Sequence, residues 1–153
     1  MAIGANAAVW FYGTKDDLAS SSALVASNGF SIASDLITWT NDDDATHVAI
    51  TVEFTQDVAA ADFGGHNIFF RALNVDGTND DEIPEIEYPH YFMGFFPALN
   101  AILTTQRSTL APIALPIYKT SSVWEVYLEN KSGEEIDAGW TVFITPMSLG
   151  PHA

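Results

Sequence analysis

The stretch Ser122–Pro146, SVWEVYLENKSGEEIDAGWTVFITP, decides the fold class. Trp124, Val126 and Leu128 recur at every second position, and so do Trp140, Val142 and Ile144. A period of two puts alternate side chains on one face of a strand. Each run therefore reads as a half-buried antiparallel strand with one tryptophan near its start. The two rings and four aliphatic groups are expected to share one sheet face. The connection between them, NKSGEEIDAG, is polar, carries two glycines and is long for a tight hairpin. A surface loop joining neighbouring strands is the expectation.

Upstream, the same pattern recurs in shorter pieces. His47–Thr55 (HVAITVEFT) alternates cleanly, with Val48, Ile50, Val52 and Phe54 on one face and His47, Ala49, Thr51 and Glu53 on the other. One face is core and the other largely wet. Ala8–Tyr12, Phe30–Ala33, Leu36–Thr40, Asn67–Val75 and Tyr91–Phe96 read as further strands. Phe69 and Phe70 are adjacent, so both faces of their strand are expected to be covered. Gly94 is expected to bend the aromatic run YFMGFF. Leu110–Tyr118 carries Pro112 and Pro116, which bar it from a sheet interior and predict an edge strand or extended arm. Asp16 or Asp17 can cap a short helix over Leu18–Val25, with a surface loop as the alternative for residues 14–28. Pro97–Leu103 reads as a helical turn or loop. About eight or nine strands with no β-α-β alternation predict an all-β antiparallel sandwich, preferably a jelly roll. No repeat or linker divides the 153 residues, so residues 1–153 are expected to form one β-sandwich domain with short terminal arms.

Charge is the compositional outlier. Twenty Asp and Glu stand against five Lys and Arg, a formal net charge of −15. Such a surface repels phosphates and anionic lipid, so neither nucleic acid nor membrane is expected as a partner. Hydrophobic residues make up 48% and charged residues 16%, which argues against disorder. The absence of cysteine excludes a disulfide scaffold, a zinc ribbon and thiol catalysis. The opening MAIGANAAVWFYG lacks a positively charged leader region, so synthesis in a cytoplasm without general secretion is expected.

No stretch declares a chemistry. Asp76, Thr78, Asp80, Asp81 and Glu82 are the best metal candidates, because alternating oxygen ligands on a flexible loop suit calcium. The EF-hand spacing fails, since Gly77 follows the first aspartate directly and no glutamate closes the loop. Asp42, Asp43 and Asp44 form a second acidic turn. A solvated turn whose carboxylates bond their own backbone is the expected reading of both. Glu85 and Glu87 could pair for glycoside hydrolysis, but Pro84 and Pro89 put them on an irregular, exposed edge. His47, His66, His90 and His152 show no metal-binding spacing, and no nucleophile elbow is present. Tyr88, Tyr91, Phe92, Phe95 and Phe96 could form a sugar-stacking platform or a protein interface, with core packing expected for the three phenylalanines. The expectation from the residues is therefore no catalytic residue, no required cofactor, and calcium at Asp76, Asp80, Asp81 and Glu82 as the one metal option.

The opening MAIGANAAVWFYGT, the central SDLITWTNDDDA and RALNVDGTNDDEIP, and the ending NKSGEEIDAGWTVFITPMSLGPHA resemble small structural proteins of tailed bacteriophages. The resemblance runs over most of the chain and rests on turn and strand motifs, with no site motif to carry over. It implies a virion component, either a capsid decoration (cement) protein or a tail-associated one, made in the host cytoplasm. It also implies a major capsid or other virion protein as partner and a homo-oligomer, a trimer by preference, around a symmetry axis. Residues Met1–Ala7, Leu110–Tyr118 and Ser148–Ala153 are the expected contact arms. The alternative is a jelly-roll carbohydrate-binding module, calcium-dependent through the 76–82 loop. A hydrolase with a site assembled in space ranks third.

Overall fold

Alternating runs become strands wherever their apolar half can be buried. The computed structural model describes residues 8–18, 25–31, 37–55, 64–84, 91–98, 105–115 and 123–151. These form β1 (Ala8–Tyr12), β2 (Asp16–Leu18), β3 (Ile37–Thr40), β4 (His47–Phe54), β5 (Gly65–Ala72), β6 (Phe92–Pro97), β7 (Gln106–Ala114), β8 (Val123–Asn130) and β9 (Thr141–Pro151), with no helix among the described residues.

The pairing is that of a long hairpin wound upon itself. β1 and β2 both pair with β9, β3 with β8, β4 with β7 and β5 with β6, all antiparallel. β1 and β2 act as two segments of one broken strand, bridged by the Gly13 N–H donating to Pro146 O at 2.8 Å. Successive pairs alternate between two sheets, β1-β9-β4-β7 with β2 beside β9, and β3-β8-β5-β6. This is the jelly-roll form of the antiparallel β-sandwich.

The core lies between the sheets. Val48, Ile50, Val52, Phe54, Val142 and Ile144 come from one side. Trp39, Ile68, Phe70, Phe96, Trp124, Val126 and Leu128 come from the other, and Trp140 enters just ahead of β9. Full burial of side chains this size is worth ~1.5–3 kcal/mol each, which makes this layer the main source of stability.

Three expectations are corrected. The strands bearing Trp124 and Trp140 are not neighbours on one face: β8 and β9 belong to opposite sheets and meet across the core. Their long connection exists because it must cross from one sheet to the other. Asp16 and Asp17 do not cap a helix, because Asp16–Leu18 pairs with Val142–Ile144 as a strand. The remainder of that segment, residues 19–24, lies outside the described residues. Nor does the C-terminal arm leave the sheet before Pro151, since Met147–Pro151 pairs with β1.

The placement of Pro112 follows the expectation, and Pro116 lies outside the described residues. β7 is an edge strand, and Pro112 sits where its register with β4 slips between Val48 and Ile50. There a proline deprives the ladder of no required donor. Likewise the β5–β6 register shifts at Ile68/Phe69, opposite Gly94.

Candidate functional site

The acidic loop after β5 spends its carboxylates on itself. Asp76 Oδ1 accepts the backbone N–H groups of Thr78 (2.9 Å) and Asn79 (2.7 Å), and Oδ2 accepts the Asn79 side-chain amide (2.7 Å). These donors, Asn79 first, hold the Asp76 carboxyl below its ordinary value. Asp80 Oδ1 accepts the Asn74 N–H at 2.9 Å, and Asp81 Oδ1 accepts the Glu82 N–H at 2.9 Å. The turn also needs left-handed backbone at Asn74 and Gly77. Asp76, Asp80, Asp81 and Glu82 are thus neighbours in one loop, with three of the four already serving its geometry. Among the described residues no three His, Asp or Glu side chains are grouped to hold a metal ion. Glu85, Glu87, Tyr88, His90 and His152 lie outside the described residues.

Behind this loop lies a polar cluster that the sequence pattern conceals. β8 is buried on both faces, not half-buried as its alternation predicts. Glu125, Tyr127 and Glu129 alternate with the core residues and point away from the sandwich interior. Arg71 on β5 donates to Glu125 Oε2 at 2.8 Å and to Asp81 O at 2.6 Å. Tyr127 donates to the same Glu125 oxygen at 3.1 Å. Glu129 accepts from Asn67 and from Lys131, each at 2.7 Å. Burial by itself would lower the Arg71 guanidinium, but its bond to Glu125 and that carboxylate's charge raise it. Burial, then Glu125, pushes the Tyr127 hydroxyl up to about 12. Glu125 and Glu129 share a face but lie four positions apart, a rise of roughly 13 Å. Glycosidase carboxylates stand only about 5–10 Å apart. The cluster is a bracing network between β5, β8 and the acidic loop.

The histidines are placed separately. His47 sits half-buried against Trp10, ring centroids 4.8 Å apart, with Nδ1 at 2.9 Å from Thr46 Oγ1. His66 is fully buried in β5, edge-on to Phe54 at 4.2 Å, with neither ring nitrogen hydrogen-bonded. Burial drives its pKa down to about 4, opposed only in part by Asn130 across the strand pair. The sequence did carry a signal, since His66 keeps the parity of Ile68, Phe70 and Ala72.

Core packing holds for Phe96 but not for Phe92 and Phe95, which are exposed on the edge strand β6. The register slip lets Met93 and Phe96 turn inward and sends the other two rings out. Tyr91 packs partly on the core, edge-on to Trp124.

The largest exposed apolar groups besides these lie where the chain's two outer strands meet. β9 pairs with β4 only as far as Met147, so Ser148–Pro151 pairs with β1 alone. The result is a two-stranded ribbon continuing past β4. On it Phe11 is 52%, Leu149 54% and Tyr12 65% exposed. Phe11 lies across Gly150, where a Cβ would meet its ring at 3.0 Å. Of the expected terminal arms, the ribbon contains Ser148–Pro151, and residues 1–7 lie outside the described residues.

No family model matches the chain, and no curated protein matches it. Among solved structures it is similar to a carbohydrate-binding module, CBM36 in complex with calcium and xylotriose. The identity is 14%, over 90% of this chain and 99% of that one, with a TM-score of 0.41.

Proposed function

We propose that this protein is a non-enzymatic structural component of a tailed-phage virion, a decoration protein that docks on the assembled shell and stabilises it. The observation that carries this reading is the ribbon of β1 and the end of β9, which exposes Tyr12 and Leu149 on one face and Phe11 on the other. Exposed apolar side chains clustered on one element mark a contact with another macromolecule. The carboxylates of the 76–82 loop serve its turn, and Glu125 and Glu129 brace β8 against Arg71, Asn67 and Lys131. The strand and turn motifs that resemble phage structural proteins point the same way.

Purified protein is mixed with shells of the encoding phage, and the pellet is assayed for stoichiometric protein and for shell melting temperature. Saturable co-sedimentation with a higher shell melting temperature is expected. Absence of the protein from purified virions, or a melting temperature of the free protein that rises with calcium or with glycans, overturns the reading in favour of the carbohydrate-binding alternative. Light scattering of the free protein, with and without chelator, tests the trimer.

A further inference from the structure

The ribbon is flanked by acid. Gly13 follows β1, and the Asp43 carboxylate lies directly over it, in the space a Cβ would fill. Phe11, Tyr12, Met147 and Asp43 line one open depression of about 220 Å³. Asp16, Asp42 and Asp43 line the adjoining one, of about 180 Å³. Aromatic and apolar walls therefore lead to a group of carboxylates within one strand's length. Beside them β1 is an edge strand, and among the described residues no strand pairs with its outer side. Among the described residues nothing occupies its outward backbone donors and acceptors, which is what strand addition requires.

The charge pattern decides what such a surface takes. A lysine or arginine side chain has an apolar stem that suits the Phe11 and Tyr12 rings and a cationic head that suits Asp42 and Asp43. A second copy of this chain cannot readily supply one. The chain has five Lys and Arg. Lys15 sits over the Phe143 ring at 4.1 Å, Arg71 is bound to Glu125, Arg107 to Glu53, and Lys131 to Glu129. Only Lys119 lies outside the described residues. Two copies, each carrying a net charge of −15, would also repel across an acidic face.

We infer that the β1 edge, with Phe11, Tyr12, Asp42 and Asp43, is a docking site for an extended cationic segment of a partner protein, one with Lys or Arg alternating with apolar residues. This rests on the reading of the protein as a docking protein and names the chemistry of what it docks to.

The probe is a synthetic peptide alternating arginine with valine, titrated into the full chain and followed by amide chemical shifts and by fluorescence anisotropy. A peptide alternating glutamate with valine is the control. Expected are shifts confined to residues 8–13, 42–45 and 147–150, and no binding of the control. Affinity is expected to fall about tenfold or more from low to physiological salt. The pair F11S/Y12S is expected to lose about tenfold or more. The pair D42N/D43N, which alters only surface carboxylates, is expected to lose about tenfold and keeps the test valid if the first pair folds poorly. The pair E134Q/E135Q, on a different loop, is expected to leave binding unchanged. Binding that is indifferent to the first two pairs, or no binding at all, overturns the inference. A dimer that F11S/Y12S abolishes overturns the choice of occupant. Shell association that survives F11S/Y12S rejects this site but leaves the virion reading standing. Peptide binding without shell association does the reverse.

Discussion

His66 shows how much one side chain can hold in a sheet. It occupies a position of β5 that Ile68, Phe70 and Ala72 fill further along, and it is buried as completely as they are. Its ring stays neutral at ordinary pH, because burial outweighs the one polar neighbour, Asn130, that favours a charge there. The folded pKa of about 4 lies below the ordinary 6.5. As pH falls through 6.5 the unfolded chain takes up a proton that the folded chain refuses, so stability is lost between 6.5 and about 4 and levels off below. The full effect is about 3 kcal/mol. Urea unfolding of wild type and His66→Leu at a series of pH values should show a wild-type loss that the variant largely lacks over this window. Parallel curves would mean that the ring finds a partner when charged. Asp76 has the same sign in a more acidic window. Its folded pKa is depressed, so its contribution is present above the ordinary 3.8 and fades only as pH drops below it.

Individual elements are tied together by few polar contacts, and burial decides which of them matter. Arg71 and Glu125, with side chains 16% and 12% exposed, join β5 to β8. Arg107 and Glu53 join β7 to β4 with the arginine 66% exposed. Removing one partner of a largely buried pair leaves a charge that water cannot reach, at about 3–5 kcal/mol. An exposed pair is worth about 0–1 kcal/mol. Denaturant midpoints should therefore separate Arg71→Met from Arg107→Met by several kcal/mol, and equal losses would contradict this view of the β5–β8 face. A second link joins the sheets themselves. The Trp39 indole on β3 donates to Asp16 Oδ2 on β2 at 2.7 Å. Asp16→Ala strands that donor at a cost of about 1–3 kcal/mol. In the Trp39→Phe background the same change should cost much less, which a double-mutant cycle would measure.

At the scale of the whole molecule, charge and topology govern behaviour. A net −15 on 153 residues is self-repulsion that folding concentrates into a smaller volume. Added sodium chloride should raise the melting temperature from low ionic strength up to about 0.15 M and little beyond, as the Debye length drops to ~8 Å. A melting temperature flat across that range would show that the acid is already locally balanced. The nested pairing joins residues at opposite ends of the described chain, as Ala8 with Pro151. Such long loops must close before their contacts count, so stopped-flow refolding should fall in the millisecond-to-second range typical of β-sandwiches.

Period-two patterning, with short runs of β-forming apolar residues at β1 and β6, determined that the chain is all-β and placed β1, β3, β4, β6, β8 and the start of β9 nearly where they lie, and proline chemistry put Pro112 on an edge. Alternation and proline chemistry are local properties of a strand, legible one residue at a time. It could not assign strands to sheets. Trp124 and Trp140 look like partners on one face and instead meet across the core, because pairing depends on residues far apart in the chain. Nor could it reveal that Glu125, Tyr127 and Glu129 are buried, since only folding brings Arg71 and Asn67 to them. The acidic 76–82 loop was conspicuous in the sequence, yet its donors are its own backbone. The ribbon of Phe11, Tyr12 and Leu149, with Asp43 beside it, joins residues from both ends of the described chain and the β3–β4 turn. Only the tertiary structure could assemble it, because proximity across more than a hundred residues is set by topology and not by local pattern.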